Sequence, residues 1–106
     1  MIGYISGNLI SADDNGMIIL ETGGIGYEIT CSSSAYELIV NQGKGSLYTY
    51  LNVREDGFYL YGFISKEEKS MFLNILFIYY IILDKLKLLY QLLNQLTKYF
   101  QYQILS

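Results

Sequence analysis

Two hydrophobic rhythms divide this chain. Through residue 64, apolar and polar positions alternate in short runs broken by Gly, Asn and Asp, while beyond it apolar residues recur every three or four positions with no Gly. Period-two alternation places successive side chains on opposite faces of a strand, so one face is buried and the other is wetted. Strands are predicted near 2–11, 16–22, 25–31, 46–54 and 57–64. The third has the clearest pattern, with Ile25, Tyr27, Ile29 and Cys31 on one face and Gly26, Glu28 and Thr30 on the other. Asp14-Asn15-Gly16, Gly23-Gly24 and Asp56-Gly57 punctuate the runs, because Gly supplies the positive φ that tight turns need.

Between the third and fourth strands, Ser34 and Glu37 have capping-box spacing, in which each side chain satisfies an orphan backbone N–H at a helix start. A short helix over 34–41 is predicted, ended by Gly43 and Gly45. Three strands, a helix and two strands is the element order of a five-stranded Greek-key barrel of OB type, with the helix bridging strands three and four. The expected fold is therefore mainly β in residues 1–64, with an α-helical tail over 65–106.

That tail begins at a second capping box, Ser65 with Glu68, and Glu67 and Glu68 fall in the first turn where the helix dipole favours acids. Ile75, Tyr79, Ile82, Leu86, Leu89, Leu93, Leu96 and Phe100 then repeat at spacings of 4, 3, 4, 3, 4, 3 and 4, a heptad seam. Leu76, Leu83, Leu88 and Leu92 broaden it. A long helix or a bent helical pair is expected, burying this face on the barrel, another helix or another chain. The apolar run 71–83 has 13 residues, is interrupted by Asn74 and is stopped by Asp84 and Lys85. A membrane span needs roughly 20 apolar residues, so a buried or interface helix fits better.

At 106 residues the chain has room for one small core and an appendage. It holds no His, no Pro and a single Cys, so neither a disulfide framework nor a Cys/His zinc site has ligands. A reducing, cytoplasmic setting fits, and the start Met1-Ile2-Gly3-Tyr4 lacks the pattern of a secretory leader. The net charge of −3 is unevenly spread. Residues 1–64 set Asp13, Asp14, Glu21, Glu28, Glu37, Glu55 and Asp56 against Lys44 and Arg54, giving −5; residues 65–106 set five Lys against Glu67, Glu68 and Asp84, giving +2. A domain this acidic is no general polyanion binder, since nucleic-acid affinity rests on Lys and Arg neutralising phosphates.

The chemistry-bearing residues narrow the function further. Gly24-x-Gly26 lacks the third Gly and the following helix of a dinucleotide loop, and reads as a strand-to-strand turn. Cys31 has no His to activate it, and Ser32, Ser33 and Ser34 lack the setting of a hydrolase nucleophile; a core thiol and a helix cap explain them. Tyr48, Tyr50, Tyr59 and Tyr61 could stack on single-stranded bases, but cross-strand packing is the preferred reading because basic lining is nearly absent. Glu55 and Asp56 are adjacent acids at a hairpin apex. As a Mg²⁺ pair they lack a third ligand. No catalytic residue, metal or cofactor is expected.

Several segments together resemble one family. Met1-Ile2-Gly3-Tyr4-Ile5-Ser6-Gly7, Gly24-Ile25-Gly26-Tyr27-Glu28-Ile29, Leu47-Tyr48-Thr49-Tyr50-Leu51-Asn52-Val53-Arg54-Glu55-Asp56, and Leu60-Tyr61-Gly62-Phe63 followed by Glu67-Glu68-Lys69-Ser70-Met71-Phe72 come in one order. In this the chain resembles, over about residues 1–74, the N-terminal domain of RuvA, the Holliday-junction-binding subunit of the bacterial branch-migration machine. The resemblance implies an OB barrel assembling four-fold on four-way junction DNA, with Glu55 and Asp56 as an acidic pin at the crossover. It also implies a partnership with the motor ATPase RuvB through a later domain, and a non-catalytic role in recombination and repair.

The likeness stops at about Ile75. There the family has a glycine-rich G-V-G-P-K hairpin that holds phosphates, whereas this chain continues Leu76-Phe77-Ile78-Tyr79-Tyr80 and has neither Gly nor Pro in its last 44 residues. Two origins fit such a tail: an out-of-frame reading of an AT-rich gene, or a natural truncation with a substituted end. Weak junction binding is the expectation. The alternatives to a junction scaffold are a self-association module driven by the heptad helix and an OB-type single-strand binder.

Overall fold

The structure, a computed structural model, describes residues 1–105 in backbone and residues 1–101 in side chain; Ser106, the end of the expected tail, lies outside the described residues. The elements run β1 (Tyr4–Ala12), β2 (Met17–Thr22), β3 (Ile25–Cys31), α1 (Ser33–Gln42), β4 (Lys44–Arg54), β5 (Gly57–Phe63) and α2 (Lys66–Leu105). The five strands close into a barrel in the order β1-β2-β3-β5-β4. All neighbours are antiparallel except β3 and β5, which run parallel through Thr30↔Tyr61 and Cys31↔Gly62. This is the expected OB-type Greek-key barrel followed by a long helix. α2 is one continuous helix of 40 residues rather than a helical pair.

Alternation builds the core. Ile5, Ile18, Leu20, Ile29, Leu47 and Leu60 point inward from all five strands, and Ala35 and Ile39 of α1 complete the same cluster. The helix fits because Gly45 of β4 has no side chain, and a Cβ there would meet Ile39 Cδ1 at 2.6 Å. Gly45 thus belongs to the strand and does not end the helix. Gly43 does so alone, in the left-handed region at φ 70, with its N–H on the Ile39 carbonyl. β4 accordingly starts at Lys44, two residues before the expected 46.

Two further boundaries move for identifiable reasons. β1 starts at Tyr4, because the carbonyls of Ile2 and Gly3 are taken instead by Thr49: the Thr49 hydroxyl donates to Ile2 O at 2.8 Å and its N–H to Gly3 O at 3.0 Å. The N-cap of α1 is Ser32, whose hydroxyl accepts from the Ala35 N–H, so the expected box of Ser34 with Glu37 does not form. Ser34 is engaged elsewhere, as described below.

The chain divides into two compact units, Met1–Met71 and Phe72–Ser106. The first holds the barrel, α1 and the opening turn of α2. In the second, the apolar residues stand open to solvent: Ile75 is 64% exposed and Leu86 54%. Among the described residues, no helix is long and apolar enough to cross a membrane.

Candidate nucleic-acid interface

β4 and β5 form the longest ladder of the barrel, paired from Tyr48↔Phe63 to Arg54↔Gly57. Pairing this complete leaves only Glu55 and Asp56 outside the ladder, as a two-residue apex. Neither has a positive φ, since every positive φ among the described residues belongs to Gly. The apex is thus not one of the mirror-image turns that Asp-Gly usually favours, with Gly at its centre. Gly57 opens β5 instead, at φ 152. Both acids are exposed, as are the flanking Val53 at 61% and Phe58 at 76%.

The two carboxylates differ in their surroundings. Asp56 Oδ2 accepts a hydrogen bond from the Tyr59 hydroxyl at 2.8 Å. That bond, reinforced by desolvation and by the Asp56 charge, raises the Tyr59 phenol above its usual pKa. Among the described residues, no hydrogen bond reaches Glu55, which projects freely. The Arg54 guanidinium carbon lies 4.9 Å from the Tyr59 ring centroid, and its Nη2 donates to the Tyr61 hydroxyl at 3.5 Å. This aromatic shelf holds the cation of the hairpin back along the ladder.

Behind the apex, the outward faces of β1, β4 and β5 carry the tyrosines singled out in the sequence. Tyr4 meets Tyr48 edge to face with centroids 5.3 Å apart, and Tyr50 stacks on Tyr61 at 6.4 Å and 24°. Lys66 Nζ lies 5.9 Å from the Tyr48 ring centroid. The rings therefore stack on one another across strands, and Tyr59 is tied to Asp56. Asn52, on the same face and opposite Tyr59, is 9% exposed, and its Nδ2 has no hydrogen-bond partner among the described residues.

Sequence reasoning missed a second polar cluster, which braces the base of the hairpin. Glu68 Oε1 accepts from Ser32 Oγ at 2.5 Å and from the Ile64 N–H at 3.0 Å, and Oε2 accepts from Ser34 Oγ at 2.6 Å. The starts of α1 and α2 are thereby joined to the end of β5. Burial pushes the Glu68 carboxyl up, but the bonds from Ser32, Ser34 and Ile64 outweigh it and leave the group below its ordinary pKa. Ser65 does cap α2, accepting from the Glu68 N–H at 3.1 Å, but the Glu68 carboxylate reaches past the expected capping box to Ile64. The only sequence signal was the capping pattern itself. It gives no hint of serines 34 and 36 residues away.

A hollow elsewhere on the barrel is lined by Asp14, Asn15, Gly16, Cys31, Ser33, Tyr36 and Glu37. Its two carboxylates disfavour an anionic ligand. Burial raises the Cys31 thiol to about 11, so it is protonated and unreactive at neutral pH. Among the described residues, no three His, Cys, Asp or Glu side chains stand together as a metal site.

The chain also has relatives. The family model described as the RuvA N terminal domain matches residues 1–62. The protein named Holliday junction branch migration complex subunit RuvA from Parabacteroides distasonis is 42% identical over 73 residues, which are 69% of this chain and 37% of that protein. The proteins of the same name from Halothermothrix orenii and Brevibacillus brevis are 43% identical over 76 residues and 40% over 77, each covering 72% of this chain and 38% and 37% of the relative. The chain thus spans under two fifths of the length of these relatives. With a five-stranded OB barrel closed in the order found above and a match running from Met1 through the hairpin to Gly62, the chain belongs to the RuvA N-terminal domain family.

Proposed function

We propose that this chain is a non-catalytic scaffold for four-way junction DNA in recombination and repair, with Glu55 and Asp56 as an acidic pin at the strand crossover. The observation that carries the reading is the pair of exposed carboxylates at the apex of a ladder fully paired to its last residue, in a barrel of this family. Carboxylates facing phosphates repel, so a fixed acidic apex discriminates among DNA shapes without adding affinity. With four barrels around one junction, four such apices meet at its centre. The partners are four-way DNA, further copies of the chain, and the motor ATPase RuvB, engaged through a domain that the family places after the residues matched here. The setting is cytoplasmic.

Affinity must come from elsewhere. The first 64 residues carry −5, and residues 75–106 hold no Gly or Pro from which to build the phosphate-gripping hairpin. The expectation is weak junction binding and no stimulation of branch migration by these 106 residues alone. A gel-shift competition between four-way junction and linear duplex tests this in low salt. Glu55→Gln with Asp56→Asn should strengthen binding to both DNAs and erase the preference for the junction. Tight, salt-sensitive binding by the unmodified chain, or a double variant indistinguishable from it, refutes the proposal.

A further inference from the structure

The apolar face of α2 beyond Met71 has no assigned role in junction binding, and its residue pattern identifies what can cover it. We propose that this helix assembles with copies of itself, in parallel, as a coiled coil of more than two and most naturally four strands.

The period comes first. A repeat of alternating four and three residues averages 3.5, the period that keeps one seam facing a partner helix under left-handed supercoiling. A helix docking on a globular surface needs no such regularity over seven successive steps. The strand number follows from residue type: Leu86 and Leu93 occupy a positions, Ile75 and Ile82 occupy d, and Leu at a with Ile at d favours tetramers over dimers. Width agrees. Leu76 and Leu83 at e, with Ile78 and Leu92 at g, extend the apolar surface on both sides of the seam, as a helix with two neighbours requires. A polar strip of Asp84, Lys87, Gln91, Asn94 and Lys98 occupies the outer b and f positions.

Area and charge point the same way. The eight seam residues are each between 50% and 64% exposed. At about 100 Å² apiece they offer about 800 Å² per chain, the share of one partner in a standard stable interface. In the parallel arrangement each g position meets e of the following heptad on the neighbour, so Ile78 meets Leu83, Leu92 meets Thr97, and Lys85 lies beside the Tyr90 ring as a cation–π pair. No like charges oppose one another.

The test is sedimentation of the full chain over about a hundred-fold range of concentration. Alongside it run Leu86→Asp with Leu93→Asp in the seam, and Gln91→Asp on the polar strip. The proposal expects a four-chain mass for the unmodified protein and for Gln91→Asp, and a single-chain mass for the seam variant with its β-sheet circular dichroism retained. In a Cys31→Ala background, Ile75→Cys should form chain-to-chain disulfides on oxidation, because parallel strands place the two sulfurs together. A monomeric unmodified chain overturns the proposal. So does a seam variant that still assembles, which would locate assembly in the barrel. Cross-linking only between Ile75→Cys and Phe100→Cys chains would show antiparallel pairing, and binding to phosphatidylcholine vesicles without self-assembly would show a lipid surface as the occupant; each overturns it too.

Discussion

Removing the Glu68 carboxylate tests whether a single side chain joins three elements of the barrel unit. Three hydrogen bonds end on it, at 2.5, 2.6 and 3.0 Å. Bonds to a charged acceptor are worth about 1.5–3 kcal/mol each when well shielded. Glu68 is only partly buried, and water can resolvate Ser32 and Ser34, so about 1 kcal/mol each is the appropriate figure here. Glu68→Ala should therefore destabilise the barrel by about 2–3 kcal/mol, lowering its melting temperature by roughly 10 °C or more. Glu68→Gln, which keeps the shape and one carbonyl acceptor, should cost about 1 kcal/mol. The pH dependence supplies the sharper check. Because the folded carboxyl titrates below its unfolded value, its stabilisation is complete above about pH 4.3 and fades as pH falls through the folded pKa. The gap between unmodified protein and Glu68→Gln should then close on acidification. Urea unfolding followed by circular dichroism at several pH values measures it; a gap that stays constant from neutral pH into acid, or Glu68→Ala within about 0.5 kcal/mol of the unmodified chain, refutes the reasoning.

Two other outcomes follow from the coordinates. At Gly7 an added Cβ would lie 2.2 Å from the Glu21 carbonyl oxygen, which is backbone, whereas at Gly45 it would meet only the flexible tip of Ile39 at 2.6 Å. Gly7→Ala should cost about 3 kcal/mol or more and Gly45→Ala about 1 kcal/mol in thermal unfolding, and the reverse order would contradict the packing described. Asp56→Asn should lower the Tyr59 pKa toward its ordinary value, because both the hydrogen bond and the negative charge that raise it are lost; ring-carbon NMR across the alkaline range reads the shift.

What the sequence disclosed and what it withheld separate along one physical line. Strands β2 and β3 and the β4–β5 hairpin were legible because alternation and turn residues are local signals. The start of β4 was not, because Lys44-Gly45-Ser46 has turn composition, and Gly45 is extended only because Ile39, six residues earlier in chain order but across the helix–strand contact, sits over it. Three consecutive serines offered three possible caps, and the choice of Ser32 rests on α2: Glu68 draws Ser34 away and also binds Ser32. Asn52 reads as an outward polar position, yet the aromatic face around it buries its amide. The acidic apex was legible as composition, while its asymmetry, with Asp56 tied and Glu55 free, required the Tyr59 ring folded back from the opposite strand.

That asymmetry bears on how an acidic apex could discriminate at all. Two unit charges 4 Å apart interact by about 1 kcal/mol in bulk water and about 4 kcal/mol near a protein surface, and salt screens the effect beyond about 8–10 Å. A repulsive device therefore acts only on phosphates within a few ångströms, and only if it does not swing aside when they arrive. The ladder paired to Arg54↔Gly57 fixes the backbone of the apex, and the Tyr59 hydroxyl fixes Asp56. Arg54 poses the opposite problem: one residue from Glu55, a guanidinium free to fold over the apex would cancel half of its charge. Its seat against the Tyr59 ring and the Tyr61 hydroxyl holds it along the strand instead. Tyr59 thus serves both ends of the device, anchoring one carboxylate with its oxygen and retaining the opposing cation with its ring. The net negative apex follows from that tyrosine as much as from the two acids.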